Sequence, residues 1–173
     1  MGSVTLITGG ARSGKSAHAL ALASQASGAR RFFIATAEAL DDEMRERIAH
    51  HRAHRSSDFT TIEEPRAVAG AIAALGGRAD VVVLDCLTLW VSNLMMGTRS
   101  DAEILSEAPT LVEAMSAAPF ATIVVTDEVG AGIVPEHPSA RRFRDLLGWT
   151  NQAVATAADC VMLMVAGYPI RVK

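Results

Sequence analysis

Short, continuously apolar segments recur along the chain and alternate with longer segments of mixed polarity. Five of the apolar runs are rich in β-branched residues: Val4–Thr8, Arg31–Thr36, Val81–Leu84, Ala121–Thr126 and Cys160–Val165. Each is short enough to be a strand buried on both faces, as strands are in a parallel sheet covered by helices. The pattern therefore predicts a mainly parallel central sheet.

The stretches between these runs have helical patterns. They are Lys15–Ser27, Asp42–His54, Arg66–Leu75, Leu87–Met95, Ala102–Ala117 and Ala140–Ala157. Gly28 and Gly76 stand where helix C-terminal caps are expected, and Asp41, Pro65 and Ser139 stand at suitable helix starts. Strands that alternate with helices predict an α/β fold. Because no linker or repeat interrupts the pattern, we expect residues 1–173 to form a single domain.

Composition and charge exclude some classes of protein. The formal net charge of −3 argues against non-specific nucleic-acid binding. No run reaches the roughly 18 apolar residues of a membrane span, and the first residues, MGSVTLITGG, lack a basic leader. Cys86 and Cys160 lie inside apolar runs, which favours buried free thiols. A cytoplasmic protein is the resulting expectation.

The segment GGARSGKS, residues 9–16, satisfies the phosphate-binding pattern G-x-x-x-x-G-K-[ST]. Gly9 and Gly14 allow a tight turn that aims backbone N–H groups at phosphate oxygens, and the following helix adds its positive N-terminus. Lys15 would reach the β- and γ-phosphates, and the Ser16 hydroxyl would ligate Mg²⁺. Since the motif follows a strand and opens a helix, it predicts a P-loop NTPase fold of the RecA-like kind, with the central sheet flanked by helices.

A P-loop of this type usually works with an acidic residue at the end of another strand. Asp85 ends the run VVVLD, and Asp127–Glu128 follows the run that ends at Thr126. Ligands of open α/β sheets bind at this edge, beyond the carboxyl ends of the strands. The sequence leaves open which acid serves the metal, and Asp85 could also cap the next helix.

The segment LDDEMRERIAHHRAHR, residues 40–55, is unusually rich in arginine and histidine. At 100° per residue, Met44, Ile48, His51 and Arg55 share one face, whereas His50 points elsewhere. The apolar members of that face predict that His51 turns toward the protein. Its imidazole could bind phosphate, act as a nucleophile kept neutral by nearby arginines, or be structural.

Several motifs together resemble the adenosylcobinamide kinase / adenosylcobinamide-phosphate guanylyltransferase family. They are GGARSGKS, IATAEALDDEM with RIAHHRAHR, LDCLTLWVSNL, VTDEVGAGIVPE and RFRDLLGWTNQAVATAAD with GYPIRVK. The resemblance extends from Val4 to Lys173 without a large gap.

The resemblance implies two reactions. ATP or GTP donates its γ-phosphoryl group to the hydroxyl of adenosylcobinamide, and GTP then transfers GMP to adenosylcobinamide phosphate, which releases pyrophosphate. The second step passes through a GMP–histidine intermediate, and the matching residue is His51. A homotrimer is also implied, with nucleotide and corrinoid sites near the subunit interfaces.

The resemblance further implies a set of nucleotide contacts: Gly9, Gly10, Ala11, Arg12, Ser13, Gly14, Lys15, Ser16, Thr36, Ala37, Glu38, Arg52, Ala53, His54, Arg55, Glu63 and Asp85. The carboxylates of Glu63 and Asp85 could accept hydrogen bonds from guanine N1–H and its amino group. The family usually has the longer Glu where this chain has Asp85. Arg12 could stabilise charge on the transferred phosphoryl group.

Two other functions are compatible with the same motifs. The chain could be a P-loop small-molecule kinase without nucleotidyl transfer, or a binding module gated by nucleotide.

The glycine-rich and proline-rich segment Gly130–Pro138 could close over the corrinoid or be a rigid loop. Trp90 and Trp149 are expected in the core or at an interface.

Overall fold

The computed structural model describes residues 2–39, 41–53 and 57–173, which form one central sheet with helices on both faces. The strands are β1 Val4–Gly9, β2 Arg31–Ala35, β3 Phe59–Glu63, β4 Val81–Asp85, β5 Ala121–Val125, β6 Cys160–Val165 and β7 Tyr168–Arg171. The helices are α1 Lys15–Gln25, α2 Asp42–Ala53, α3 Val68–Ala73, α4 Leu87–Met95, α5 Asp101–Ala117 and α6 Pro138–Ala157.

The sheet order is β3-β2-β4-β5-β1-β6-β7, and every neighbouring pair is parallel except β6 with β7. The predicted mainly parallel α/β sheet is therefore confirmed. Parallel pairing brings the carboxyl ends of six strands to one edge of the sheet, where open α/β sheets bind their ligands. The P-loop strand β1 lies between β5 and β6 at this edge.

The core lies in two layers because successive residues of each strand face opposite sides of the sheet. Phe32, Ile34 and Leu84 belong to the larger cluster, with apolar residues of α3, α4, α5 and α6. Phe33 and Val83 face the other way and pack in a cluster with residues of α1. Helices on both faces explain why these strands read as continuous apolar runs.

Two strands were missed by the sequence pattern, and both lie at sheet edges. Phe59 is the only buried residue of β3, and all four residues of β7 are exposed. An edge strand needs little apolar character, because one side of it faces no other strand. The turn from β6 to β7 has positive φ at both Ala166 (51°) and Gly167 (89°), as a two-residue hairpin turn of type I′ requires.

The described bounds of all six helices lie within two residues of the predicted ones, and α1 and α3 are shortened by two residues at one or both ends. The first ends at Gln25 instead of Ser27, and α3 spans Val68–Ala73 instead of Arg66–Leu75. Residues 64–67 instead form a turn in which the Glu64 carboxylate accepts hydrogen bonds from the N–H groups of Arg66 and Ala67. Trp90 is buried as expected, whereas Trp149 is 51% exposed and not part of the core.

Candidate active site

The predicted P-loop joins β1 to α1 and has the backbone that a phosphate cradle needs. Gly9 has φ of 150°, Arg12 of 56° and Gly14 of 97°. A Cβ atom on Gly9 would lie 2.6 Å from the carbonyl oxygen of Met164, so the loop can pass β6 only with glycine there. Steric exclusion by the neighbouring strand therefore accounts for the first glycine of the motif.

Lys15 is nearly buried at the mouth of this cradle. Its Nζ atom donates to the carbonyl oxygen of Gly10 at 2.6 Å and lies 2.7 Å from Oδ1 of Asp127. Asp127 is held from both sides, since its N–H donates to the Thr88 hydroxyl and its carbonyl oxygen accepts from Asn151. Of the acids considered from the sequence, Asp127 is thus the one that contacts the P-loop lysine.

Oxygen groups suited to a nucleotide and a hard cation line the same place. Ser16 opens α1 beside Lys15, and the buried Ser13 hydroxyl has no hydrogen-bond partner among the described residues. Magnesium at nucleotide sites is usually held by one or two carboxylates together with phosphate oxygens. The Ser16 hydroxyl and the Asp127 carboxylate fit that requirement.

The hairpin between β6 and β7 touches the P-loop from outside, a contact that the sequence pattern did not predict. The N–H of Gly167 donates to the carbonyl oxygen of Ser13 at 3.0 Å. The same glycine lies so close to Gly14 that a Cβ atom on Gly14 would be 3.2 Å from the Gly167 Cα atom. Gly167 therefore buttresses the second half of the cradle.

A second group of predicted contacts lies along the same edge of the sheet, two and more strands away from the P-loop. In the strand register Glu63 is paired with Ala35, Ala35 with Asp85, and Asp85 with Val125. The carboxylates of Glu63 and Asp85 thus belong to residues that flank the end of β2. The predicted contacts Thr36, Ala37 and Glu38 directly follow β2, so the register brings together residues that are far apart in the sequence.

Hydrogen bonds, some of them buried, fix this second group in place. The Thr36 hydroxyl donates to the carbonyl oxygen of Cys86 and accepts from its N–H, both at 2.8 Å. The Asn93 amide donates to the carbonyl oxygens of Thr36 and Pro65. Glu38 forms a two-pronged ion pair with Arg66 at 2.8 and 2.9 Å. Arg66 and Asn93 were not predicted, and a lone Arg or Asn gives no sequence signal for such a role.

Cys86 is held between the two groups as an unreactive thiol. Burial, with a smaller contribution from the charge of Asp85, raises the pKa of the Cys86 thiol to about 12. Both Cys86 and the half-buried Cys160 are free, as predicted. A thiol with so high a pKa is protonated at neutral pH and is not a nucleophile.

The arginine- and histidine-rich helix α2 follows β2 and starts where the sequence predicts. The Asp41 carboxylate accepts from the N–H of Met44 at 2.7 Å, which caps the helix. Met44 and Ile48 are half-buried, whereas the other described side chains of α2 are exposed. The face predicted to turn inward is therefore the less exposed one.

The predicted nucleophile stands on this helix. The backbone of His51, Arg52 and Ala53 belongs to α2. Their side chains, with that of His50, and the whole of His54 and Arg55 lie outside the described part of the chain, so the predicted inward orientation of His51 stays a prediction.

The segment Gly130–Pro138 lies next to the cradle and is tied to α6. The N–H of Glu128 donates to the carbonyl oxygen of Gly9 at 3.1 Å, and the Glu128 carboxylate accepts from Gly130. The guanidinium of Arg141 donates to the carbonyl oxygens of Pro135 and Glu136. Ile133, at the tip, is 98% exposed. The segment thus exposes an apolar side chain five residues after Glu128, which contacts the cradle.

Comparison with known proteins identifies the family. Residues 5–172 match the model of the family described as cobinamide kinase / cobinamide phosphate guanyltransferase. The chain belongs to this family. The resemblance seen in the sequence motifs is therefore confirmed. The two activities that the resemblance implies, a kinase and a guanylyltransferase, are the two that the family description names.

Curated members of the cobinamide kinase / cobinamide phosphate guanyltransferase family are similar over almost their whole length. The bifunctional adenosylcobalamin biosynthesis protein CobU of Salmonella typhimurium is 42% identical over 180 residues, which cover 97% of this chain and 98% of the relative. The protein of the same description from Escherichia coli is 41% identical with the same coverage. CobP of Pseudomonas aeruginosa is 41% identical over 168 residues, which cover 97% of this chain and 96% of the relative.

Solved structures support the fold. An ATPase of the type III secretion system of pathogenic bacteria has a TM-score of 0.61 at 15% identity, covering 94% of this chain and 51% of that one. The RadB recombinase has a TM-score of 0.52 at 14% identity, covering 93% and 73%. Identities this low concern the fold alone, and they confirm the predicted P-loop NTPase fold. Among the described residues no helix is both long and apolar enough to span a bilayer.

Proposed function

We propose that the chain catalyses two successive reactions of adenosylcobalamin biosynthesis. It phosphorylates the hydroxyl of adenosylcobinamide with ATP or GTP, and it then transfers GMP from GTP to adenosylcobinamide phosphate, which yields adenosylcobinamide-GDP and pyrophosphate. The observation that carries this proposal is the Lys15–Asp127 contact at the mouth of a P-loop in a chain of this family.

The phosphoryl transfer needs positioning and charge neutralisation more than covalent chemistry. The P-loop amides and Lys15 would bind the triphosphate, and Arg12, which is exposed on the loop, would stabilise charge on the γ-phosphoryl group. The acceptor hydroxyl oxygen attacks the γ-phosphorus, the bond to the β–γ bridging oxygen breaks, and the hydroxyl proton leaves to a base. Mg²⁺, held by Ser16 and Asp127, would neutralise phosphate charge.

The guanylyl transfer uses His51 as a covalent carrier. A neutral imidazole nitrogen attacks the α-phosphorus of GTP, a P–N bond forms, and pyrophosphate leaves. An oxygen of adenosylcobinamide phosphate then attacks the same phosphorus, and the P–N bond breaks to release the histidine. In this proposal Glu63 and Asp85 accept hydrogen bonds from guanine, and Thr36–Glu38 and residues 52–55 complete the nucleotide contacts. The shared strand edge of Glu63, Ala35 and Asp85 supports this assignment.

The assembly is proposed to be a homotrimer in the cytoplasm. Tyr168, Ile170 and Val172 expose apolar side chains at the β7 edge, which suits a protein–protein contact. The two free thiols suit a reducing compartment. Light scattering of the purified protein is expected to give three times the 18.2 kDa chain mass. The mass of a single chain would contradict the trimer.

The covalent intermediate gives the decisive test. The protein is incubated with Mg²⁺ and GTP labelled at the α-phosphate, denatured, and analysed for label on the chain. We expect an acid-labile, alkali-stable adduct that is lost in His51→Ala and retained in the matched variant His50→Ala. If no adduct forms while the γ-phosphate still reaches cobinamide, the chain is a kinase without nucleotidyl transfer.

A further inference from the structure

A pocket with both polar and apolar lining lies next to the segment that follows β2. Its volume is about 370 Å³, within the range of small-molecule sites, and it is lined by Arg66 and by residues 93, 94 and 96–99 at the end of α4 and in the turn after it. None of the residues implied as nucleotide contacts lines it. Arg66 nevertheless joins the pocket to them through its ion pair with Glu38.

Asn93 brings a buried polar group to this pocket. The residue is only 5% exposed, and its amide nitrogen donates hydrogen bonds to the carbonyl oxygens of Thr36 and Pro65. No described residue donates a hydrogen bond to its Oδ1 atom. This oxygen is not one of the fully buried atoms without a partner, so at the pocket wall it can accept a hydrogen bond from a ligand that carries an N–H group.

Among the described residues, each charged side chain that lines the pocket is paired with an acid. Arg66 is paired with Glu38, and Arg99 is paired with Glu107 at 2.6 Å. Both guanidiniums keep N–H groups that no described residue accepts. A pocket with compensated charge, spare N–H donors and one spare carbonyl acceptor complements a neutral group that both accepts and donates. A primary carboxamide is such a group, whereas a phosphate would find no net positive charge.

We propose that this pocket binds a peripheral carboxamide side chain of the corrinoid acceptor. Its carbonyl oxygen accepts from the free N–H groups of Arg99 or Arg66, and its NH₂ group donates to Oδ1 of Asn93. The exposed Met96 offers apolar contact to the carbon atoms of the macrocycle rim. The inference rests on the proposed function, and it adds a binding site for the acceptor next to the nucleotide contacts.

The test uses side chains that line the pocket without holding the fold. Substitution of Asn93 would also remove both bonds of its amide nitrogen, so Thr98→Val combined with Arg99→Gln is the better variant. The control is Arg78→Gln, because Arg78 is an exposed arginine just before β4, at the opposite edge of the sheet. Calorimetry measures the dissociation constants of cobinamide, cobinamide phosphate and GTP, and the GMP adduct formed from GTP alone reports the nucleotide site.

We expect the double variant to weaken the binding of cobinamide and of cobinamide phosphate by a similar factor, about tenfold for one or two lost hydrogen bonds. The binding of GTP and the adduct should match those of the control. The wild type should also prefer cobinamide to a derivative in which carboxamides are hydrolysed to carboxylates, and the double variant should lose part of this preference.

Three results would overturn the inference. Unchanged binding of both acceptors would mean that the pocket holds no part of the corrinoid. Weaker binding of cobinamide phosphate alone would mean that the pocket is a phosphate subsite. Weaker binding of GTP would mean that the pocket is part of the nucleotide site. Failure of the proposed function is recognised separately, because the wild type would then neither bind cobinamide nor form the adduct.

Discussion

The ammonium group of Lys15 lies 2.7 Å from the carboxylate of Asp127, at the mouth of the P-loop. The same group donates to the carbonyl oxygen of Gly10, so the lysine faces an acid and its own loop. The ammonium group has a third N–H for a phosphate oxygen, and a triphosphate competes with the Asp127 carboxylate for its charge. This competition makes the nucleotide affinity depend on Asp127 and on Mg²⁺.

Asp127→Asn is therefore expected to strengthen GTP binding in EDTA by about three- to tenfold, because one carboxylate no longer competes for Lys15. With Mg²⁺ present, the same variant should transfer the γ-phosphate more slowly, since a carboxylate that we propose as a ligand of the metal is lost. Equilibrium binding with and without EDTA and single-turnover kinetics check both effects. Glu128→Gln serves as the neighbouring comparison. Weaker GTP binding in EDTA would contradict the competition.

Glu63→Gln and Asp85→Asn are expected to impair guanylyl transfer and to spare phosphorylation driven by ATP. An amide cannot accept from both N–H groups of guanine as a carboxylate does, and the loss should be about tenfold or more. Rates with GTP and with ATP as donor measure the difference, and Glu113→Gln, an exposed acid on α5, is the matched control. An equal fall of both rates would show that the two carboxylates do not read the base.

Thr36→Val is expected to lower the free energy of unfolding by about 1–3 kcal/mol, because the N–H and the carbonyl of Cys86 lose a buried partner. The control is Thr122→Val, since the Thr122 hydroxyl is buried without a hydrogen-bond partner among the described residues. That substitution should be neutral or stabilising. Urea unfolding measures the free energy of unfolding of both variants. An equal loss of stability in the two variants would contradict the prediction.

The Arg30–Asp80 ion pair makes a pH-dependent contribution at the opposite edge of the sheet. Hydrogen bonds from Arg30 lower the pKa of the Asp80 carboxylate to about 2. A carboxyl group with a lowered pKa in the folded protein adds stability above its ordinary pKa near 3.8, and this stability is lost as the pH falls toward 2. Asp80→Asn should therefore destabilise the protein at pH 6, and the difference should shrink below about pH 4. Denaturant titrations across this range measure it, and a difference that does not vary with pH would refute the assignment.

Local sequence was enough to predict the strands β1, β2, β4, β5 and β6, the helices between them, the parallel sheet and the phosphate cradle. Continuous apolar runs such as Val81–Leu84 are short-range signals, because burial on both faces leaves no polar alternation. The P-loop is equally local, since Gly9, Gly14 and Lys15 act on one ligand from a single turn. The motif and the resemblance therefore sufficed to identify the family, and the chemistry of the candidate site stays a prediction.

Only the tertiary structure decided which distant residues meet. Asp127 reaches Lys15 because β5 pairs with β1, and Arg66 reaches Glu38 because β3 lies beside β2. The edge strands β3 and β7 were likewise invisible, since an edge position demands pairing partners more than apolar residues. Periodicity reports the burial of each segment on its own, whereas strand order and register depend on the packing of the whole chain. For this reason the sequence by itself predicted several acids as partners of the P-loop. The fold shows that Asp127 is the one of these acids that contacts Lys15.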